Sequence, residues 1–504
     1  MASEVLTITP KLDETFVVHL NAIIVAGKSM GVAVQSRIKS LGRLLVSILV
    51  ISFWAGCTPL HLPTPTPTAT ASLVPTATQP PRPTLTPSPT SAIQLDEEQL
   101  KGVTLRFWHP YRGQIGAVID RLANEFSRQN QWGISVQVEA ISGVDLLNER
   151  VEASLEQGNL PHLAVAPLYH ALRWNQQRSI LVDWSLYIGD VQWGTPQAEI
   201  EQYYPNLWQA SQVDGGQWGI PMRRVAQVLL YNATWARELG FSEAPKTVAE
   251  FQQQSCSVPA KAEGSNEAEA KGYYFSHDYP TILGWFKAFG AQVWVGDEGK
   301  YEFNTPQIKD ALAYLRKLYD LGCTLSAGDI DPLEAFVQRR ALFVPVQSAQ
   351  FDSVTHQVDS PSGYDQWTVL PFPTPSGEGA LVVVGTDFVL LQSSAQEQLA
   401  AWLFVKWFLQ KEIQQQLVEE TLGLPLRRDV GEALQNETRL PPAYRVTLTY
   451  LPLATNEPLG ASWGTVRWAV SDASRQLVAW YFSIDQVPSL AELLDKTADD
   501  LNSR

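Results

Sequence analysis

Cysteine is scarce, with three in 504 residues. Three thiols cannot build a disulfide-dense scaffold or a four-thiolate zinc site. Histidine numbers seven, and His109, His162, His170 and His277 stand at no metal-ligand spacing. No H-E-x-x-H occurs, and no G-x-x-x-x-G-K-[ST] phosphate loop. The sequence therefore implies no metal and no cofactor. Positive charge is also short: residues 93–504 hold 31 Lys+Arg against 49 Asp+Glu. Such an acidic body excludes non-specific nucleic-acid binding, which needs a basic surface to displace counterions. It excludes docking on anionic lipid through a basic patch as well. The apolar run Leu44 to Gly56 has thirteen uncharged residues, short of the roughly 20 that a membrane-spanning helix needs.

Apolar residues, by contrast, make up 45% of the chain, enough for a large buried core. The length suggests two or three domains. Trp, Tyr and Phe number 17, 16 and 18. Core packing and stacking on a ligand both account for that richness.

The run Leu44-Leu45-Val46-Ser47-Ile48-Leu49-Val50-Ile51-Ser52-Phe53-Trp54-Ala55-Gly56 follows Arg37, Lys39 and Arg43. A basic stretch and a short apolar one form a signal peptide. Ala55-Gly56-Cys57 at its end resembles the lipobox of bacterial lipoproteins, which implies cleavage before Cys57 and lipid on its thiol. Residues 1–29 are then an over-extended start, and 30–56 the signal. Residues 63–92 hold nine Pro and nine Thr in thirty positions. A stretch so poor in apolar residues does not fold by itself. Its prolines favour polyproline II, which reaches roughly 90 Å if fully extended. Residues 57–101 thus read as a lipidated tether outside the cell membrane or in a periplasm. Cys256 and Cys323 remain, and sequence alone does not say whether they pair.

The body alternates two periods. Val103, Leu105 and Phe107 recur at strand spacing, then Ile115, Val118, Ile119, Leu122 and Phe126 at helical spacing. Ile134, Val136 and Val138 alternate again. A helical pattern over 144–155 and the apolar run 163–166 follow. This order predicts an α/β fold with mostly parallel sheets, whose ligands sit at the carboxyl ends of strands. That draws attention to Trp108, Tyr111, Arg112 and Tyr169. Asn304-Thr305-Pro306 predicts a helix start, Leu312, Leu315, Leu318 and Tyr319 its apolar face, and Gly322 its stop. Leu399, Trp402, Leu403 and Leu409 line another helix.

Nine short stretches in order resemble the extracellular solute-binding proteins of ABC importers, the sugar-binding, maltodextrin type. They are VTLRFWHP (103–110), GGQWGIPM (215–222), VLLYNATWARELGF (228–241), APKTVAEF (244–251), GKYEFNTPQIKDALAYLRKLYDLG (299–322), AFVQRRALFVPV (335–346), VLPFPTPSGEG (369–379), AAWLFVKWFLQKEIQQQL (400–417) and LGLPLRRDV (422–430). The resemblance implies two α/β lobes hinged about an interlobe cleft. Lobe 1 would take about 102–228 and 343–388, lobe 2 about 229–342 and 389–504. It implies a monomer that captures a carbohydrate and passes it to permease subunits served by a separate ATPase.

A sugar offers apolar C–H faces to aromatic rings and hydroxyls to charged groups. The stretch Gly460-Ala461-Ser462-Trp463-Gly464-Thr465-Val466-Arg467 is similar to the family segment that carries a late stacking Trp, here Trp463. Asp278 and Tyr279 fall near another cleft aromatic, and Arg224 and Asp387 are candidates for hydroxyls. Where the maltodextrin type has a Trp and an acidic residue after the third strand, this chain has Ala166 and Tyr169. The resemblance therefore implies a sugar without naming it. Two other readings stand beside it: a surface-anchored glycoside hydrolase, which needs two carboxylates about 5–10 Å apart, and a solute-binding fold used for sensing or adhesion.

Overall fold

Leu105 and Phe107 point into the core from strand β1 (Thr104–His109), and helix α1 (Gly113–Gln129) buries Val118, Ile119, Leu122 and Phe126 against it. Strand β2 (Ser135–Ala140), helix α2 (Val144–Gln157), strand β3 (Leu163–Ala166) and helix α3 (Leu168–Arg178) complete the first half. Strand β1 lies parallel to both β2 and β3, as the alternating pattern requires. This computed structural model describes residues 90–503, except 260–268, 327, 329 and 359–364. The signal, Cys57 and nearly all of the Pro/Thr stretch lie outside the described residues. Among those described, no helix is long and apolar enough to cross a membrane.

The chain continues through β4 (Ile220–Asn232), β5 (Lys271–Phe275), α4 (Tyr279–Ala288), α5 (Pro306–Asp320), β6 (Thr324–Ser326), β7 (Ala341–Gln347), β8 (Trp367–Leu370) and β9 (Leu381–Leu390). It closes with α6 (Ala395–Phe408), α7 (Lys411–Thr421), β10 (Ala454–Asn456), α8 (Trp463–Leu477) and α9 (Val487–Asn502), with shorter elements between. Strand β5 pairs parallel with β6 and β7. Two long strands join this group to the first. Strands β4 and β9 pair antiparallel from Ile220↔Phe388 to Gln227↔Val382. Further along, β4 pairs with β7 and β8, while β9 pairs with β3 and β10. The result is one sheet, parallel at both flanks and antiparallel where β4 and β9 cross between two cores. All thirteen residues of β4 are buried.

One core holds Phe107, Phe126, Trp402, Phe404 and Phe408. A second holds Phe251, Tyr273, Trp285, Leu315 and Val466, and a smaller third holds Leu147, Trp174 and Leu391. Helix α5 starts where the sequence expects it: the Thr305 hydroxyl accepts the Ile308 N–H, and Pro306 occupies the first turn. Leu312, Leu315 and Leu318 are buried, and Gly322 takes φ 70° just past the helix end. Tyr319 is half-buried under the Arg316 guanidinium, 4.9 Å above its ring. Helices α6 and α7 lie against α1 and β1, whereas α8 and α9 lie against α4 and α5.

Cys256 and Cys323 form a disulfide, with Cα atoms 4.6 Å apart. It ties the end of a short helix, Val248–Ser255, to the start of β6. Asp190 holds the last residues of the Pro/Thr stretch. Its carboxylate accepts the Ser91 hydroxyl at 2.8 Å and the Ala92 N–H at 3.0 Å.

Candidate functional site

The first turns of α2, α3, α4 and α8 meet beside the middle of β9. They bring in Asp145, Tyr169, Tyr279 and Trp463, with Arg467 one turn further along α8. Trp463 has no exposed surface. Its indole N–H donates to Glu457 Oε2 at 3.0 Å, and the Tyr279 hydroxyl donates to the same oxygen at 3.2 Å. The Gly385 N–H points to the other oxygen of Glu457, at 3.4 Å. Glycine is needed at 385, because a Cβ there would meet the Arg223 carbonyl oxygen at 2.1 Å and Arg224 Cδ at 2.8 Å. The Tyr279 and Trp463 rings meet edge to face at 5.9 Å, and Tyr301 stacks on Trp463 from behind at 5.9 Å.

Arg467 spans the seam where α8 meets the starts of α2 and α3. Its guanidinium donates to the Tyr169 hydroxyl at 2.8 Å and to the Asp145 carboxylate, and lies 5.5 Å and 5.4 Å from the Tyr169 and Tyr279 ring centroids. Spacing of four residues on a helix puts Arg467 on the same face as Trp463. Next to this group, buried Arg224 donates to Asp387 Oδ1 at 2.8 Å and to the Thr386 carbonyl. A cavity of about 20 Å³ remains between Tyr169, Arg224, Asp387 and Glu457, room for about one water.

Burial raises the Glu457 carboxyl above its usual range, against the opposing pull of the Trp463 N–H and Arg467. Asp145 is held below the usual carboxylate range by His170, whose Nε2 is 3.5 Å away, and by Arg467. Burial lowers His170, which keeps its ring neutral at pH 7. Burial also raises the Tyr169 and Tyr279 hydroxyls, which stay protonated donors.

Of the residues singled out in the sequence, the structure brings together Tyr169, Arg224, Tyr279, Asp387 and Trp463. Tyr111 stands at the edge, its hydroxyl 2.6 Å from Thr386 Oγ1. Trp108 packs with Leu147, Val151 and Trp174 under the Arg150 guanidinium, away from this group. Arg112 is exposed at the start of α1, and Asp278 is exposed just before α4. Glu457, Arg467 and Asp145 are members of the cluster that the sequence did not single out. The i, i+4 relation to Trp463 was a usable signal for Arg467, whereas Glu457 sits in an irregular loop with none.

Gly460-Ala461-Ser462-Trp463-Gly464 has the G-x-S-x-G spacing of a hydrolase nucleophile turn. The geometry differs. Ser462 has unstrained φ −81° and ψ −4°, and its Oγ lies 2.8 Å from Asn502 Oδ1 and 3.1 Å from the Tyr301 hydroxyl. None of its described hydrogen-bond partners is a histidine.

Residues 121–441 match the family of bacterial extracellular solute-binding proteins. The chain belongs to that family, whose members are extracytoplasmic binding proteins. Solved structures share its two-lobe fold. The cyclic alpha-maltosyl-1,6-maltose binding protein of Arthrobacter globiformis is 20% identical, covers 80% of this chain and 100% of its own, and has a TM-score of 0.67. The sugar-binding protein MalE of Xanthomonas citri is 20% identical over 80% and 98%, with a TM-score of 0.69. UgpB of Mycobacterium tuberculosis, solved with glycerophosphocholine, is 16% identical over 80% and 98%, with a TM-score of 0.61. No curated protein matches the chain.

Proposed function

We propose that this protein captures a neutral sugar or oligosaccharide in the cleft between its lobes. It hands the sugar unaltered to the permease of an ABC importer, whose ATPase is a separate subunit. Lipid on Cys57 holds the monomer to the outer face of a membrane, and the Pro/Thr stretch spaces it from the surface. The observation that carries this reading is the cluster of Tyr169, Tyr279 and Trp463 around Glu457 and Arg467. Such rings suit the C–H faces of a sugar, and the charged groups suit its hydroxyls. Arg467 and Arg224 are each already paired with a carboxylate of the chain. That favours a neutral ligand over a phosphate.

The described cleft is closed on itself. Ligand pockets are typically about 300–1,000 Å³, against about 20 Å³ here. A sugar enters after the lobes hinge apart, which frees the rings, and takes over the bonds they now make to Glu457 and Arg467. A thermal-shift screen against neutral carbohydrates tests the reading. A ligand at a hundredfold excess over Kd adds about 2.7 kcal/mol to stability. The reading fails if no carbohydrate stabilises the protein, or if the stabilising one is recovered hydrolysed in turnover amounts.

A further inference from the structure

Two larger hollows flank the end of α6 and share Lys406 and Gln410 as a common wall. Neither shares a lining residue with the seam cavity. One, of about 500 Å³, is walled by Trp132, Trp193 and Trp407 together with the amides of Gln129, Gln131 and Gln192. Trp132 and Trp407 are half-buried, so part of each indole faces the hollow's solvent, and Gln131 and Gln192 are exposed. Trp193 is 5% exposed. Its backbone carbonyl accepts the Trp402 indole N–H at 2.9 Å and the Lys406 ammonium at 3.0 Å, which fixes the residue in place. The indole nitrogens of Trp132 and Trp193 are buried and have no partner. Buried donors are nearly always satisfied, so two in one wall call for an explanation.

The second hollow, of about 590 Å³, contains Tyr203 and Trp208, whose rings are 4.5 Å apart. Its Arg427 is paired with Glu199 and Asp429, both at 2.9 Å. The Lys406 ammonium is committed to the carbonyl oxygens of Trp193 and Gly194.

We propose that this groove is a second carbohydrate site, on the half of the molecule built around β1–β3, and that it takes a neutral oligosaccharide. Indole faces and amides at one place match the two kinds of surface a sugar presents. Of the cations in the lining, Arg427 and Lys406 are paired within the protein and Lys411 stands among Glu412 and Asp429, which disfavours an anionic ligand. Two hollows in series fit more than one sugar ring. Small adjustments of the wall on binding give the Trp132 and Trp193 N–H groups hydroxyl acceptors. The site is independent of the cleft, and either can exist without the other.

The test places the full-length protein on an array of neutral glucan, mannan, galactan and xylan oligosaccharides, beside three variants. In Glu457→Gln the cleft is altered and the groove is not. In Trp132→Ala/Trp407→Ala the groove loses two rings. Gln131→Ala/Gln192→Ala changes only exposed amides and leaves folding intact. At least one oligosaccharide should bind Glu457→Gln as well as the parent does. The same oligosaccharide should bind the double tryptophan variant at least tenfold more weakly and the double glutamine variant several-fold more weakly. The proposal is overturned if no oligosaccharide signal depends on either groove variant. A loss seen with the tryptophans but not with the glutamines, together with a lowered melting temperature, overturns it too.

Discussion

The Arg467 guanidinium donates to the Tyr169 hydroxyl across the seam at 2.8 Å, and the same group reaches the Asp145 carboxylate. One side chain of α8 thus holds the first turns of both α2 and α3. Hydrogen bonds to a charged group are worth about 1.5–3 kcal/mol. That is enough to move an equilibrium between closed and open lobes by an order of magnitude or more. Arg467→Ala should enlarge the radius of gyration of the sugar-free protein in small-angle scattering, and Tyr169→Phe should do so less. An unchanged radius in Arg467→Ala would show that this contact does not hold the lobes together.

Closing the seam around Glu457 favours its protonated form, because burial raises this carboxyl. The folded state then binds more protons than the unfolded one as pH rises from the ordinary glutamate range through the raised value. The contribution is fully present below the unfolded value and is lost as pH climbs through the folded one. Asp145, which is depressed, acts in the opposite sense and below its ordinary range. As pH rises from the ordinary glutamate range through the raised value, unfolding free energy of the parent should therefore fall relative to Glu457→Gln. Urea titrations at several pH values would measure this, and parallel curves would contradict it.

The Cys256–Cys323 bond closes a loop of 67 residues. By chain entropy such a cross-link stabilises by roughly 4 kcal/mol. Urea unfolding with and without a reductant should differ by an amount of that order. Equal midpoints would mean that the bond contributes nothing to stability.

Mass spectrometry of the native amino terminus should find a diacylated Cys57. A chain that retains residues 30–56 unmodified would remove the anchor from this account.

Much of the fold was legible because burial imposes a period. Leu105 and Phe107, then Val118, Leu122 and Phe126, announce strand and helix by spacing alone. The same patterns do not say which surface an apolar face covers. Leu399, Trp402 and Leu403 mark a helix at α6, but its buried residues run unbroken from Leu399 to Val405, so no single stripe says what it covers. Only the packing shows that it lies on α1 and β1, whereas the resemblance puts 389–504, this helix included, in lobe 2 with 229–342. The site was half legible for a related reason. Trp463 and Tyr279 lie in segments with a family likeness. Glu457 is one of 52 acidic residues, in a loop without periodicity, and its importance comes from Gly385, Tyr279 and Trp463 surrounding it in space. Trp108 illustrates the converse. It stands near a strand's carboxyl end as expected, yet its ring turns into a core beside Trp174.

The central claim is that a neutral sugar binds at Trp463. It is tested most directly by isothermal titration of the parent and of Trp463→Ala with whichever carbohydrate stabilises the parent. Stacking of this kind is worth about 1–3 kcal/mol if it resembles base stacking on aromatic rings. The account predicts a Kd weakened about five- to a hundred-and-sixtyfold in Trp463→Ala, with the variant folded as judged by circular dichroism. An unchanged Kd in the folded variant would contradict it.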